Sequence, residues 1–224
     1  MSMIELTARD GHKLSAWKAS PAGKPKGAVV IVQEIFGVNS HVRAVADSYA
    51  ASGYLAIAPA FFDRVSRNYE TGYEAADVDA GREIIGKLDW QQTMADLAAG
   101  IEAAGTGGKV AVIGYCWGGT VAWLASTRAT DAVCAVAYYG GGIPNFIDEK
   151  PARPVLGHFG EKDTHPSPEV GRDMAKRYPS NTEVHVYPAG HGFNCDQRGS
   201  YDAAASSLAL ERTLAFLGKH LEGA

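Results

Sequence analysis

The 224-residue chain holds only three cysteines, Cys116, Cys134 and Cys195. So sparse and odd a count, with no export signal ahead of it, argues against a disulfide framework. No two of them form a C-x-x-C pair, so a structural zinc is not expected either. Long apolar runs are missing. None reaches the roughly 18 residues of a membrane span, and the opening MSMIELTARDGHKLSAW lacks the basic and then apolar regions of a signal peptide. Positive charge is also short: 21 Lys and Arg stand against 25 Asp and Glu, a net charge of −4. No basic stripe invites nucleic acid or an anionic membrane surface. There are no internal repeats and no low-complexity segments. These absences suggest a cytoplasmic chain with a small-molecule partner, its length suiting one domain, 1–224.

What is present is an alternation of apolar runs and helical patterns. The runs 28–33 (AVVIVQ), 54–58 (YLAIA), 109–115 (KVAVIGY), 132–139 (AVCAVAYY), 154–159 (PVLGHF) and 183–187 (EVHVY) read as strands, the most apolar of them buried on both faces. Between and after them, 39–52, 90–104, 117–126 and 201–220 carry helical spacing. Asn39 or Ser40 caps the first, and Gly53 ends it. The last offers Leu208, Leu210, Leu214, Phe216 and Leu217 to the core. Segments 4–6 and 14–19 predict an antiparallel edge hairpin around Asp10-Gly11. Such an order predicts a mostly parallel central sheet with helices on both faces, and chemistry at the carboxyl ends of the strands. Residues 60–89, charged and carrying Phe61, Phe62, Tyr69 and Tyr73, are the irregular stretch. They read equally as a surface helix with a loop or as a substrate-contacting lid.

Gly114-Tyr115-Cys116-Trp117-Gly118-Gly119 follows a strand and opens a helix. This is G-x-S-x-G with cysteine for serine, the nucleophile elbow of the α/β-hydrolase fold. A tight strand-to-helix turn would lift Cys116 above the sheet, at a helix N-terminus that favours thiolate. The first-turn amide of Trp117 lies outside the helical ladder and can donate to an oxyanion. Cys134, in mid-strand, reads as core. Cys195 lies in a loop four residues beyond His191 and could face the site. In this fold an acid and then a histidine follow the nucleophile. Asp163 stands after the strand PVLGHF and His191 after EVHVY. The imidazole can take the thiol proton, and the carboxylate can fix its tautomer. Glu161 is the competing acid. His165 and His158 are competing bases, the latter reading as a core residue inside a strand. Glu34 ends a buried strand, where a carboxylate needs a partner. A structural ion pair explains it as well as a catalytic role does.

Taken together, QEIFGVN at 33–39, YLAIAPAFF at 54–62, GYCWGG at 114–119, YYGGG at 138–142, HFGEKD at 158–163 and YPAGHGF at 187–193 resemble the dienelactone hydrolase, or carboxymethylenebutenolidase, family over essentially the whole chain. The resemblance implies Cys116 as nucleophile, His191 as base and Asp163 as its orienter. It implies that Glu34 interacts with the thiol and that the amides of Ile35 and Trp117 form the oxyanion hole. Tyr138 or Tyr139, with Phe36, would line the pocket. It implies no metal and no organic cofactor, and a monomer. Dienelactone-cleaving members hold the substrate carboxylate with two arginines. Here the position after the histidine holds Asn194 or Cys195, and Arg198 and Arg82 are the nearest candidates. The expected activity is hydrolysis of a small lactone or ester. An aryl esterase or thioesterase, or a non-catalytic protein on this scaffold, are the alternatives.

Overall fold

Each apolar run becomes a strand in the computed structural model, which describes residues 1–128 and 130–222. The last two residues of the expected domain, 223–224, lie outside the described residues. The chain divides into two compact units, Met1–Val110 and Ala111–Ala224.

In the first unit, β1 (Ser2–Thr7) and β2 (Lys13–Ala19) form the expected antiparallel hairpin, with Thr7 opposite Lys13. Its turn closes through Gly11, at φ +86°, a conformation that costs glycine little. β3 (Ala28–Val32) and β4 (Leu55–Pro59) are buried at every residue and pair in parallel, while β2 pairs β4 antiparallel. Helix α1 (Ser40–Ala51) is capped by Asn39, whose side chain accepts from the Val42 amide. Helix α3 (Trp90–Ala104) is capped by Asp89 and buries Leu97, Ile101 and Ala104.

Residues 60–89 resolve into a 3₁₀ turn, Phe61–Arg64, and helix α2, Ala75–Ile85. The lid expectation fails for two of its aromatics. Phe61 and Phe62 are 0% and 1% exposed and belong to the core. Arg64 follows them inward and makes a bidentate pair with Asp96 at 2.6 and 2.7 Å, with Asp10 at 2.8 Å. The rest of the segment grips the loop after β3. Thr71 N–H donates to the Phe36 carbonyl at 3.1 Å. Tyr73 packs edge-on to Phe36 at 4.6 Å. Asn39 donates to Thr71 O and Tyr73 Oη.

In the second unit, β5 (Val110–Tyr115), β6 (Cys134–Tyr138), β7 (Val155–Gly160) and β8 (Thr182–Tyr187) run parallel. Tyr115 stands opposite Tyr138, Tyr138 opposite His158 and Gly160 opposite Tyr187. The carboxyl ends of these strands therefore come level. Helix α4 (Trp117–Thr127) is buried along nearly all its length. Helix α5 (Glu169–Arg177) was not anticipated. Only Gly171 and Met174 are buried among its nine residues, too few to give a period. Helix α6 (Ala203–Leu221) buries Phe216 and Leu217 as expected, while Leu210 and Leu214 are half-buried. Its buried stripe is Ala205, Ala209, Thr213, Phe216, Leu217 and Leu221, whereas Leu208 is 40% exposed.

The described residues thus hold eight strands and six α-helices. Within the first unit the strand order is β1-β2-β4-β3, and within the second it is β5-β6-β7-β8, so the pairing is mixed and mostly parallel. No helix among the described residues is long and apolar enough to cross a membrane.

Candidate active site

Cys116 is the junction between β5 and α4, held at φ 56° and ψ −115°. That region is sparsely populated for a residue with a side chain and costs about 1–3 kcal/mol. The surroundings impose it. A Cβ on Gly114 would lie 1.8 Å from the Gly118 carbonyl oxygen, so only glycine permits this close a turn. The Cys116 amide donates to the Tyr138 carbonyl at 3.0 Å, and its carbonyl accepts from Gly119 N at 2.9 Å. Of the three free cysteines, Cys116 is partly exposed and the other two are buried. Burial pushes the Cys134 thiol up to about 12, which suits a core residue.

Asp163 and His191 follow β7 and β8, and their loops are cross-linked. Glu161 N–H donates to Tyr187 O at 2.7 Å and Lys162 N–H to Ala189 O at 2.9 Å. This registers Asp163 Oδ2 against His191 Nδ1 at 2.8 Å. The other carboxylate oxygen accepts from the His165 amide at 2.8 Å. The Asp163 side chain is 2% exposed and that of His191 24%. Burial pulls the His191 pKa down, but hydrogen bonds with Asp163 and Cys116, and their charges, outweigh it and raise it to about 10. The structure therefore places Asp163 on His191 Nδ1, and the Cys116 thiol is close enough to shift the same imidazole.

The competitors fall elsewhere. Glu161 is exposed and paired with Arg172 at 3.0 and 2.7 Å. The His165 side chain is exposed and lies against Gly141. His158 is fully buried between Tyr187 Oη, 2.8 Å from Nδ1, and Thr213 Oγ1, 3.0 Å from Nε2. Burial, followed by the charges of His185 and Arg212, holds its pKa well below the usual value, so it stays neutral.

Of the two tyrosines, Tyr139 is the one beside the triad. Its ring packs edge-on to His191 at 5.0 Å, from a backbone at φ 38°. Tyr138, one residue earlier, turns inward as strand alternation requires. Its ring stacks on Tyr115 at 4.6 Å, and its hydroxyl lies 2.7 Å from Thr213 Oγ1. Arg198 lies close to the histidine loop, since a Cβ on Gly192 would meet its guanidinium at 2.6 Å. Cys195 is buried.

The remaining candidates stand in the first unit. Glu34 lies two residues past the end of β3, not in the strand as expected, and is 2% exposed. The carbonyl of Ile35 sits against Gly81 of α2, 2.2 Å from where a Cβ would be. Phe36 is 2% exposed. The Arg82 side chain is 70% exposed on α2, with Asp79 at 3.9 Å. Sequence reasoning overlooked Thr213 and the His165 amide. A polar residue four positions from both Ala209 and Leu217 was a readable sign of the first. A backbone donor leaves no sign in sequence.

The profile of the dienelactone hydrolase family matches residues 14–221. The chain belongs to the dienelactone hydrolase family. It is 35% identical over 229 residues to a carboxymethylenebutenolidase of Pseudomonas putida, covering 96% of this chain and 94% of that protein. It is 31% identical over 226 residues to carboxymethylenebutenolidase 1 of Cupriavidus pinatubonensis, covering 96% and 95%. A crystal structure from Klebsiella pneumoniae, provisionally named a dienelactone hydrolase, superposes with a TM-score of 0.83. Its identity is 29%, and the match covers 98% of this chain and all of that one. The protein is thus a carboxymethylenebutenolidase-like hydrolase with the α/β-hydrolase fold.

Proposed function

We propose that this member of the family cleaves small, activated lactones or esters with Cys116 as nucleophile. What supports the reading is a partly exposed cysteine at a strained elbow, beside an imidazole that a buried carboxylate orients. His191, raised to about 10, is a strong enough base to take the thiol proton. Sulfur then bonds the carbonyl carbon, and the oxyanion is received by the amides of Trp117 and Ile35. Collapse breaks the carbon–oxygen bond, and the leaving oxygen takes the proton from His191. Water, deprotonated by the same imidazole, attacks the thioester and releases acid and thiol. One water is consumed per turnover. Glu34 assists thiolate formation, and Phe36 and Tyr139 shape the pocket, whereas Tyr138 points inward and stands behind it. Arg82 and Arg198 are the candidates for a substrate carboxylate. No metal or organic cofactor enters these steps. We read residues 1–224 as one functional domain, acting as a cytoplasmic monomer.

A thiolate leaves a tetrahedral intermediate more readily than a poor alkoxide does, so enol lactones should turn over faster than saturated lactones. Steady-state rates on the two, with Cys116→Ala as the control, test the reading. Equal rates would count against the preference, and full activity in Cys116→Ala would overturn the nucleophile.

A further inference from the structure

Helix α6 buries a hydroxyl where its stripe otherwise carries carbon. Thr213 is 0% exposed, and its Oγ1 lies 2.7 Å from Tyr138 Oη and 3.0 Å from His158 Nε2. The chain of contacts continues from His158 Nδ1 to Tyr187 Oη at 2.8 Å. Four buried polar groups are thus satisfied in series, with Thr213 at the branch between α6 and the ends of β6 and β7.

The residues Thr213 holds are the ones on which the triad rests. The Tyr138 carbonyl accepts the Cys116 amide at 3.0 Å, and the His158 carbonyl accepts the Tyr139 amide at 2.8 Å. Tyr139 in turn carries its ring against His191. Three residues other than glycine have positive φ among the described residues, and two of them are Cys116 and Tyr139. Strained backbone persists only where its surroundings over-determine it. At both positions the backbone hydrogen bond ends on a residue whose side chain is tied to Thr213.

We propose that Thr213 is a positioning residue for the Cys116–His191 pair, acting through Tyr138 and His158. The proposal rests on the cysteine-hydrolase reading for its consequence in turnover, but not for its consequence at the thiol. Removing the hydroxyl leaves two buried groups short of a partner and frees the end of β6. The nucleophile and the base then lose their mutual alignment while the pocket keeps its lining.

The test compares Thr213→Val, Thr213→Ser and Tyr138→Phe in the full chain. The readouts are enol-lactone kinetics, the rate of Cys116 alkylation by iodoacetamide at pH 7, and thermal unfolding. Thr213→Val should lower kcat about ten- to a hundredfold with little change in KM, the scale of a small misplacement of reacting groups. Alkylation should slow in parallel. Thr213→Ser should restore both, and Tyr138→Phe should reproduce part of the loss, deciding the matter if Thr213→Val does not fold. Wild-type alkylation and kcat in folded Thr213→Val would overturn the proposal. So would a Thr213→Ser variant no better than Thr213→Val, since the loss would then be one of packing. Failure of the hydrolase reading is separate: wild-type enzyme would not cleave the lactone, while Cys116 alkylation would still report on Thr213.

Discussion

Replacing Asp163 by asparagine changes one atom, and the surroundings dictate which way the new amide faces. Oδ1 accepts from the His165 amide and Oδ2 faces His191 Nδ1, each at 2.8 Å. Only an oxygen is tolerated opposite the His165 N–H, so the asparagine NH₂ must point at His191. Nδ1 then has to accept, and the imidazole proton moves to Nε2, on the side of the ring that should receive the thiol proton. The reverse orientation keeps the productive tautomer but sets NH₂ against a buried N–H, at a cost of roughly 1–3 kcal/mol. At about 1.4 kcal/mol per factor of ten, the productive form falls to between about a fifth and about a hundredth. The carboxylate charge that supports the imidazolium is lost as well. Together these predict a drop in kcat of about 10²- to 10⁴-fold, as for amide replacement of an orienting carboxylate elsewhere. Steady-state hydrolysis of an activated enol or aryl ester measures it, with thermal unfolding to confirm the fold. Glu161→Gln, run alongside, should stay close to wild type, because Glu161 spends its charge on Arg172 at the surface. If Asp163→Asn keeps half of the wild-type kcat, the tautomer argument is wrong.

Three further outcomes rest on the same structure. The His191 pKa is raised from 6.5 to about 10, so its contribution to stability is complete below pH 6.5 and is lost as pH rises through 10. In urea unfolding, the advantage of wild type over His191→Gln should therefore shrink between those pH values, and a constant gap would contradict it. Asp96→Asn removes the bidentate partner of Arg64 and leaves it only Asp10, which should cost about 1–3 kcal/mol in the same assay; a change within error would show the pair is not desolvated. Gly114→Ala drives a methyl to within 1.8 Å of the Gly118 oxygen, so the elbow must open. Turnover and Cys116 alkylation should both fall sharply, and an unchanged alkylation rate would refute the close approach.

Much of the molecule was legible in sequence because its determinants are local. Fully buried strands such as Ala28–Val32 must be continuous apolar runs, and helices announce themselves through caps such as Asn39 and Asp89. The elbow shows as glycines flanking Cys116. The positions of Asp163 and His191 follow from chain order once strands are assigned. What escaped depends on contacts between distant residues. Phe61 and Phe62 look like lid aromatics until the ion pair from Arg64 to Asp96, 32 residues away, draws their segment inward. The buried face of α6 includes Thr213 and leaves Leu208 outside. No hydropathy pattern predicts that, because a threonine becomes a core residue only when partners such as Tyr138 and His158 wait for its hydroxyl. Sequence alone thus determined which residues are chemically able and in what order they come. Tertiary structure alone decided which of them meet, because hydrogen-bond satisfaction in a buried place is settled by neighbours that the chain brings from far away.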